Sequence, residues 1–461
     1  MYNTIVRLQQ IELINFKNVK NGTIVFPSYM KQDCNRKAEI IGLYGQNGSG
    51  KTALIDAMWI LQHALTGKKL PLNTKDYILQ TSLSSELNFV FSLELQEERY
   101  LVFYEIELSK TKDNKLQFTK ENLSYKRFSN GEWKNKSGII DYNTDYNITI
   151  FKPLKNFKLL TASNPNNHIN LGVSKKLSQK NITSFIFSSE TEEAIKCCDS
   201  FKEYTDIILN LKYYATHNLF IIQNNSDNTL NMNLFNPSNY EISDYKSISQ
   251  GYLSISLLTP SVVDKQVFDL LNKILKQMNI VLETIIPGLN IDIKNHGKQL
   301  KEDGSEGVRI ELVSIRETII IPLKYESDGI KKIISILSTL ILVFNNPSVC
   351  MVVDELDAGI FEYLLGEILQ IINENGKGQL IFTSHNLRPL EMLDTNSLIF
   401  TTTNPNNRYS RFANVKSNNN LRNLYYRSIN VGGQKEDIYE ETNNFEISRA
   451  FRVAGRMIDE H

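Results

Sequence analysis

The feature that most constrains this chain is a glycine-rich loop set between a buried strand and a helix. The loop comprises Gly45, Gln46, Asn47, Gly48, Ser49, Gly50, Lys51 and Thr52 and fits the spacing Gly-x4-Gly-Lys-Ser/Thr. The apolar residues 38–44 before it predict a buried strand. Apolar residues at helical spacing follow it: Leu54, Ala57, Met58, Leu61 and Leu65. This context indicates a P-loop, whose N–H groups surround nucleotide phosphates while Lys51 contacts the β and γ oxygens and Thr52 binds Mg²⁺. The alternative is an ordinary glycine-rich turn.

Composition limits the classes of protein that this chain can belong to. It has 461 residues, of which 41% are apolar and 22% charged, as in soluble proteins of two or three domains. No apolar run of membrane-spanning length and no signal-peptide pattern occurs, and the four cysteines form no Cys-x-x-Cys pair. We therefore expect a cytoplasmic protein with no membrane partner. The net charge of zero argues against a dedicated nucleic-acid binder, although a local DNA-binding groove is compatible with it.

A second strand carries two carboxylates at its end. Residues 349–353 are apolar, and Asp354 and Glu355 follow them. Ligands of open parallel sheets bind at this end of the strands. We expect Asp354 to hold Mg²⁺ and Glu355 to polarise the attacking water. The alternative, an ordinary strand end, is less favoured because the P-loop is also present.

Two further segments are candidates for contact with the γ-phosphate. Ser327 and Gly329 precede an apolar helix, whose N-terminus offers a hydroxyl and free N–H groups. The alternative there is an ordinary helix cap. Residues 379–383 predict another core strand, and His385 follows it, where it could sense the phosphate. The alternative for His385 is a purely structural histidine.

The rest of the chain shows a change in pattern along its length. From residue 86 onward, alternating apolar residues predict an antiparallel β segment. Residues 188–215 and 261–285 predict helices, 165–183 and 223–250 predict loops, and 425–433 predict a strand and tight turn. Near the C-terminus an apolar stripe at helical spacing predicts a helix that packs on its own domain or docks a partner. Its members are Phe445, Ile447, Ala450, Phe451, Ala454, Met457 and Ile458.

Together these motifs resemble the ABC-type ATPase heads of the SMC, RecF and OLD group. The matching pieces are the P-loop as Walker A, residues 327–331 as the signature, residues 349–355 as Walker B, residues 356–359 as the D-loop and residues 383–386 with the switch histidine. Residues 11–17 are similar to the first strand of that group, so the resemblance places Lys17 near the nucleotide. It implies an α/β P-loop NTPase with an antiparallel β lobe and an inserted, mainly helical region. The implied domains are an ATPase head of residues 1–155 and 305–404, an insert of 156–304, and a C-terminal extension of 405–461.

The resemblance also implies a mechanism. ATP and Mg²⁺ are the expected cofactors, and a homodimer or higher oligomer is expected to form through the ATP sites. Lys51, Thr52 and Asp354 of one copy would face Ser327 and Gly329 of the other. Glu355 and His385 are the expected catalytic residues.

Departures from the group narrow the expected role. The Ser-Asp-Gly-x-Lys signature is similar to that of bacterial anti-phage ATPases, and neither SMC-length arms nor the acidic motif of OLD nucleases is recognisable. The Q-loop glutamine is unassigned, with Gln80 as a candidate. We therefore expect an ATPase and sensor subunit of a defence complex that controls a separate effector protein. The alternatives are a RecF-like DNA-repair ATPase and a scaffold that binds nucleotide without hydrolysis, whereas a transporter subunit is disfavoured by the long interval between Walker A and Walker B.

Overall fold

The computed structural model describes residues 4–29, 36–111, 113–146, 148–164, 166–223, 229–233, 252–301, 304–412, 415 and 420–456. Its strands, in chain order, are β1 Ile5–Phe16, β2 Val19–Val25, β3 Glu39–Tyr44, β4 Ser84–Leu95, β5 Glu98–Lys110, β6 Leu116–Ser129, β7 Glu132–Trp133, β8 Ser137–Asn143, β9 Phe151–Lys152, β10 Leu219–Ile222, β11 Thr229–Asn233, β12 Tyr252–Ser256, β13 Ser261–Val263, β14 Asn290–Leu300, β15 Glu306–Arg316, β16 Ile319–Pro322, β17 Cys350–Val353, β18 Gln379–Thr383, β19 Leu398–Thr401 and β20 Tyr409–Ser410.

The helices alternate with these strands mainly in the middle and C-terminal parts of the chain. They are α1 Lys51–Leu65, α2 Leu154–Ser163, α3 Asn166–Asn181, α4 Ser189–Lys196, α5 Lys202–His217, α6 Lys265–Ile285, α7 Asp328–Asn345, α8 Glu362–Asn375, α9 Pro389–Met392, α10 Leu421–Val431 and α11 Asn444–Arg456. Among the described helices, none is both long and apolar enough to cross a bilayer.

The N-terminal part of the chain forms an antiparallel sheet in the order β2-β1-β4-β5-β6-β8-β9, with β7 paired to β6. Its strands alternate between a buried and a solvent-facing side, as expected for an antiparallel sheet with one wet face. In β5, for example, Tyr104 and Ile106 are buried, whereas the intervening Glu105 and the next residue Glu107 are partly exposed. This sheet is the predicted antiparallel β lobe.

A second sheet carries the P-loop and has the order β10-β17-β18-β3-β19-β20. The first five strands are parallel, and β20 runs antiparallel to β19. Both faces of this sheet are covered, which explains why β3, β17, β18 and β19 are buried throughout. On one side α1 and α5 fill the space toward the antiparallel sheet, and on the other lie α6, α7, α8, α9 and α10. The predicted α/β fold, with its P-loop sheet and antiparallel lobe, is confirmed.

Polar side chains join the two sheets. Arg7 of β1 is fully buried and donates to the carboxylate of Glu39 in β3 at 2.8 Å and to the carbonyl of Lys377 at 2.6 Å. The Gln379 side-chain amide accepts the Leu8 N–H at 2.9 Å and donates to the Leu8 carbonyl at 2.8 Å. It thus pairs with the backbone of β1 as a neighbouring strand would. Because buried polar groups are costly unless they are paired, these bonds favour one arrangement of the two sheets.

A buried carboxylate joins the antiparallel sheet to the helical region. Glu121 of β6 accepts hydrogen bonds from Ser184 Oγ at 2.6 Å, from the Phe185 N–H at 2.6 Å and from the Tyr104 hydroxyl at 3.0 Å. Burial raises the pKa of Glu121, although these donors act in the opposite direction. The loop between α3 and α4 is thereby attached to the sheet.

Three sequence-based assignments of secondary structure are wrong. Residues 165–183 were expected to form a loop because of their Asn and Ser content, yet 166–181 form α3, where Ser174 is buried and bonds Ser188 and Thr191. Residues 425–433 were expected to form a strand and turn, yet most of them lie in α10, which Asn420 caps at its N-terminus. Of the predicted loop 223–250, only 223 and 229–233 lie within the described residues, and 229–233 form strand β11, which pairs with β12, instead of a loop.

The predicted insert and C-terminal helix also differ from expectation in detail. The range 156–304 supplies β10 to the parallel sheet and β13 and β14 to a separate sheet. These segments are strands because β10 pairs with β17, and β13 and β14 pair with β15, and both of these partner strands lie outside the predicted helical insert. The stripe-bearing helix α11 forms, but every residue from 441 to 455 is exposed. Packing of this helix on its own domain was therefore the wrong expectation for these residues, and Met457 and Ile458 lie outside the described residues.

Candidate functional site

The P-loop connects β3 to α1 at the carboxyl end of the parallel sheet. Gly45, Gly48 and Gly50 have φ values of 152, 76 and 99°, which side-chain-bearing residues rarely adopt. The Lys51 ammonium donates to the carbonyls of Gly45 at 2.7 Å and Gln46 at 3.1 Å. Burial lowers the pKa of Lys51, and three nearby carboxylates (Asp354, Glu355 and Asp357) counteract that shift. An ammonium that is partly shielded from water and hydrogen-bonded to carbonyls is suited to receive phosphate oxygens.

The outer part of the P-loop remains open. Asn47, Gly48 and Thr52 are exposed, and Ser49 is partly exposed with its hydroxyl 2.5 Å from the Gln46 carbonyl. The Thr52 hydroxyl, at the start of α1, is thus accessible to a ligand.

Residues 401–409, which are distant from the P-loop in sequence, form hydrogen bonds that hold the P-loop in place. Thr401 Oγ1 lies 2.5 Å from Ser49 Oγ and donates to the Tyr44 carbonyl at 3.2 Å. The Tyr409 hydroxyl donates to the Gly50 carbonyl at 2.8 Å. Arg408 donates to the Asn18 carbonyl at 2.8 Å, and the Asn18 side chain in turn donates to the Gly48 carbonyl of the loop. These supporting residues were not found from the sequence, because no local pattern links positions so far apart.

The two carboxylates that follow β17 are held by a threonine of the neighbouring strand. Thr383 Oγ1 donates to Asp354 Oδ1 at 2.6 Å and accepts the Glu355 N–H at 2.7 Å. Asp354 is 6% exposed, whereas Glu355 is exposed and has a positive φ of 48°. The backbone turn thus directs Glu355 to solvent beside the P-loop, away from the apolar interior. Thr383 is the common partner that fixes both positions.

His385 lies next to the D-loop. Asp357 Oδ2 accepts the N–H groups of His385 at 3.1 Å and Asn386 at 2.9 Å, and the His385 side chain is exposed. The segment after β18 is therefore fixed by its backbone, which leaves the imidazole accessible.

The signature segment contacts the D-loop rather than the P-loop of its own chain. Ser327 is exposed and caps α7 by accepting the Ile330 N–H at 3.4 Å. Gly329 packs so closely on Gly359 that a Cβ at position 329 would lie 1.9 Å from the Gly359 carbonyl oxygen. Ser327 therefore does form the helix cap that was the alternative interpretation of this segment. Its hydroxyl is also exposed on the surface.

Lys17 is held by a carboxylate in the second turn of the P-loop helix. Its ammonium forms an ion pair with Asp56 and lies 4.4 Å from the centre of the Tyr77 ring. Burial raises the pKa of Asp56, and Lys17 counteracts that shift. The predicted contact between Lys17 and nucleotide stays a prediction.

Gln223 is a site residue that the sequence did not reveal. It follows β10, whose last residue Ile222 accepts the Asp354 N–H at 2.9 Å, and its amide donates to Asp56 Oδ1 at 3.1 Å. Gln223 therefore lies at the same sheet edge as the P-loop and Asp354. Gln80, the candidate from the sequence, lies in an exposed turn before β4. The only signal for Gln223 was the four-residue apolar run before it, which also resembles the end of a helix.

Several solved structures are similar to this chain at low identity. The Smc head domain with an extended coiled coil bound to the C-terminal domain of ScpA from Pyrococcus furiosus is 11% identical, covers 89% of this chain and 97% of that one, and has a TM-score of 0.40. The SMC head domain from Thermotoga maritima is 15% identical, with coverages of 88% and 99% and a TM-score of 0.36. The recombination mediator RecF is 12% identical, with coverages of 89% and 99% and a TM-score of 0.35. Such low TM-scores do not establish a shared architecture. No curated protein matches the sequence significantly.

The family match is more extensive. The sequence profile described as "AAA domain, putative AbiEii toxin, Type IV TA system" matches residues 40–391, which include the P-loop, the signature, Walker B and His385. The match confirms the predicted relation to ATPases of this broad group. Because it spans well over half of the chain, the protein belongs to this family of AAA-domain proteins.

Proposed function

We propose that this protein is a molecular switch that binds and hydrolyses ATP, with each ATP enclosed between two copies of the chain. The observation that carries the proposal is the arrangement around Thr383. Its hydroxyl fixes a buried carboxylate, Asp354, and the backbone of an exposed one, Glu355, beside the P-loop. A P-loop that only bound nucleotide as a structural element would not need an exposed carboxylate at this position.

The residues of one copy have distinct roles in this proposal. Lys51 exchanges its carbonyl partners for the β and γ phosphates, and the exposed Glu355 accepts a hydrogen bond from the attacking water and orients it. The accessible hydroxyl of Thr52 and the carboxylate of Asp354 are oxygen ligands of the kind that Mg²⁺ prefers, so they fit this ion. When bound, Mg²⁺ would neutralise charge on the phosphates. His385, whose backbone is fixed by Asp357, contacts the γ-phosphate and senses its loss.

The second copy completes the site with its signature. Ser327 is exposed at the start of α7, where the helix dipole and free N–H groups favour an anion. Gly329 allows this helix start to contact the D-loop turn closely, so the two segments present one surface. Loss of the γ-phosphate removes the group that both copies contact and separates them.

The mass of the Glu355→Gln variant in solution tests this proposal. With ATP and Mg²⁺ the variant should bind nucleotide without hydrolysing it and elute at twice the subunit mass in size-exclusion chromatography with light scattering. Lys51→Ala under the same conditions should remain a single copy and serves as the control. A single-copy mass for Glu355→Gln with ATP demonstrably bound would contradict the enclosed site.

We also propose that Gln223 couples the nucleotide to the helical region. It follows β10 directly, and β10 is joined to α5 by one residue. Its contact with Asp56 places its amide at the P-loop helix. A shift of this amide toward nucleotide would move β10 and, with it, the end of α5. Gln223→Ala should bind ATP with unchanged affinity yet hydrolyse it more slowly.

For the biological role we propose the ATPase subunit of an anti-phage defence complex that restrains or releases a separate effector. Support comes from the defence-type signature and from the family description, which names a toxin of a toxin–antitoxin system. Co-purification from the native host with Glu355→Gln as bait should recover one effector protein in an ATP-dependent manner. A DNA gel shift by the same variant with ATP, without any protein partner, would instead favour the RecF-like alternative. The net charge of zero weighs against that outcome.

A further inference from the structure

Residues 146–189 form a basic stretch within a chain whose net charge is zero. This stretch contains six lysines and neither an aspartate nor a glutamate. It includes α2 and α3, which pack on each other. The Asn167 side chain of α3 donates to the Leu160 carbonyl of α2 at 2.8 Å, and the ring centroids of Phe157 and His168 lie 5.8 Å apart. A local excess of one charge, which the balance of the whole chain conceals, favours a partner of opposite charge.

The lysines of these two helices lie on their solvent-facing sides. Leu160 of α2 and Leu171 of α3 are both buried in the core cluster that includes the antiparallel sheet. At 3.6 residues per turn, each lysine on the outer side lies about 140–180° around the helix from the buried leucine of its own helix. The two helices therefore present one outer basic face, whose exposed lysines are Lys155, Lys158, Lys176 and Lys180.

These four lysines form no ion pair with any residue that the structure describes. Lysines of the β lobe are neutralised locally, as Lys120 is by Glu107 at 2.6 Å and Lys136 by Glu105 at 2.8 Å. Helix α4 lies beside α3, but its Glu192 pairs with lysines of α4 and α5 instead. The ammonium groups of the outer face are thus free to pair with carboxylates of another molecule.

Apolar side chains on the same face indicate which kind of acidic partner fits. On α3, Ile169 and Val173 are 64% and 44% exposed and share one face with the two lysines, since the four residues are spaced four, three and four positions apart. Leu154, beside Lys155 on α2, is 52% exposed. A phosphate backbone offers no apolar surface, and residues 146–189 contain no arginine, the residue best suited to bind phosphates and bases. A protein segment that carries both carboxylates and apolar side chains matches both features.

We propose that the outer face of α2 and α3 is the docking surface for the effector, which presents an acidic segment with apolar side chains to it. This inference rests on the proposed role of the chain as an ATPase subunit that controls a separate effector. The location fits that role. Helix α4 contacts both α3 and α5, and β10 follows α5 after one residue, so the face belongs to the region that Gln223 would couple to nucleotide.

Charge reversal of the four lysines tests the docking surface. The bait Glu355→Gln is compared with the same bait carrying Lys155→Glu, Lys158→Glu, Lys176→Glu and Lys180→Glu, by co-purification from the native host with ATP. Recovery of the effector should fall at least about tenfold, because four attractive contacts become repulsive. The matched control reverses four other exposed lysines and should retain the effector: Lys265, Lys273, Lys276 and Lys294. Undiminished recovery by the reversal bait, or equal loss in the control, overturns the proposal.

Two defined probes separate an acidic protein from a nucleic acid. Fluorescence anisotropy of a labelled helical peptide of about 20 residues, with Glu and Leu on one face, should show at least about tenfold tighter binding to the parent than to the reversal variant. A labelled DNA duplex of about 30 base pairs should bind both proteins equally weakly. Equal peptide binding, or tight duplex binding that the reversal abolishes, overturns the docking of an acidic protein.

The dimer mass separates failure of this inference from failure of the ATP switch. The reversal variant should still form the ATP-dependent dimer, since its changes lie on exposed residues of α2 and α3. If it dimerises and also retains the effector, the docking surface is refuted while the switch stands. A parent bait that recovers no effector at all refutes the proposed control of an effector, and the docking surface with it.

Discussion

Gly329→Ala is the sharpest test of the contact between the signature and the D-loop. The new Cβ would lie 1.9 Å from the Gly359 carbonyl oxygen, whereas an ordinary contact begins at 3.4 Å, so the two backbones must separate by about 1.5 Å. Neither partner is a side chain that can rotate away. Overpacking of this kind costs about 1–3 kcal/mol of folding free energy. In the proposed ATP sandwich this contact lies at the reacting site, where a displacement of this size should lower turnover by about 100-fold.

Steady-state phosphate release at saturating ATP measures this effect. The turnover number should fall about 100-fold, while the ATP affinity of the single copy should change less than about twofold, because the P-loop lies on other elements. Gly172→Ala in α3 is the matched control, since nothing lies within 4 Å of its added Cβ, and it should leave turnover unchanged. If Gly329→Ala is folded and hydrolyses ATP within about threefold of the parent rate, the close contact has no role in catalysis.

Three further substitutions test other parts of the molecule. Lys51→Ala should weaken ATP binding by roughly 100-fold, because charged hydrogen bonds to phosphate are lost, and calorimetric titration measures it. Thr383→Val keeps the side-chain volume but frees Asp354, so turnover should fall about 10- to 100-fold with little change in affinity; unchanged turnover contradicts the positioning role. Glu121→Ala strands three buried donors and should lower the free energy of unfolding by about 3–5 kcal/mol in urea titration, whereas the solvent-side Glu105→Ala should cost less than about 1 kcal/mol.

The sequence predicted those parts of the fold that depend on local pattern. The P-loop between β3 and α1, the antiparallel lobe and the carboxylates after β17 each follow from a short motif or a run of regular spacing. Strand β10 could not be predicted in this way. Its four residues, Leu219 to Ile222, follow α5 almost directly, and only parallel pairing with β17 defines them as a strand. Gln223 was missed for the same reason, since its position at the site depends on that pairing.

Two helices were misjudged because their side chains act against the usual preferences of their residue types. In α3, Ser174 and Ser178 are buried, and their hydroxyls form hydrogen bonds that satisfy them there. Amino-acid composition does not reveal such bonds. In α10, the β-favouring residues around Tyr425 form a helix because Leu421 and Tyr425, four residues apart, both pack into the core beside the parallel sheet. In both helices, contacts with distant residues outweigh local propensity.

The central position of β3 has a consequence for synthesis on the ribosome. This strand, residues 39–44, lies between β18 and β19, and the loop after it is held by Tyr409. Translation proceeds from the N-terminus, so β3 is synthesised before both of its neighbours and cannot pair with them until residues 379–401 have been made. The nascent chain can therefore complete the sheet around the P-loop only after residues 379–401 have left the exit tunnel.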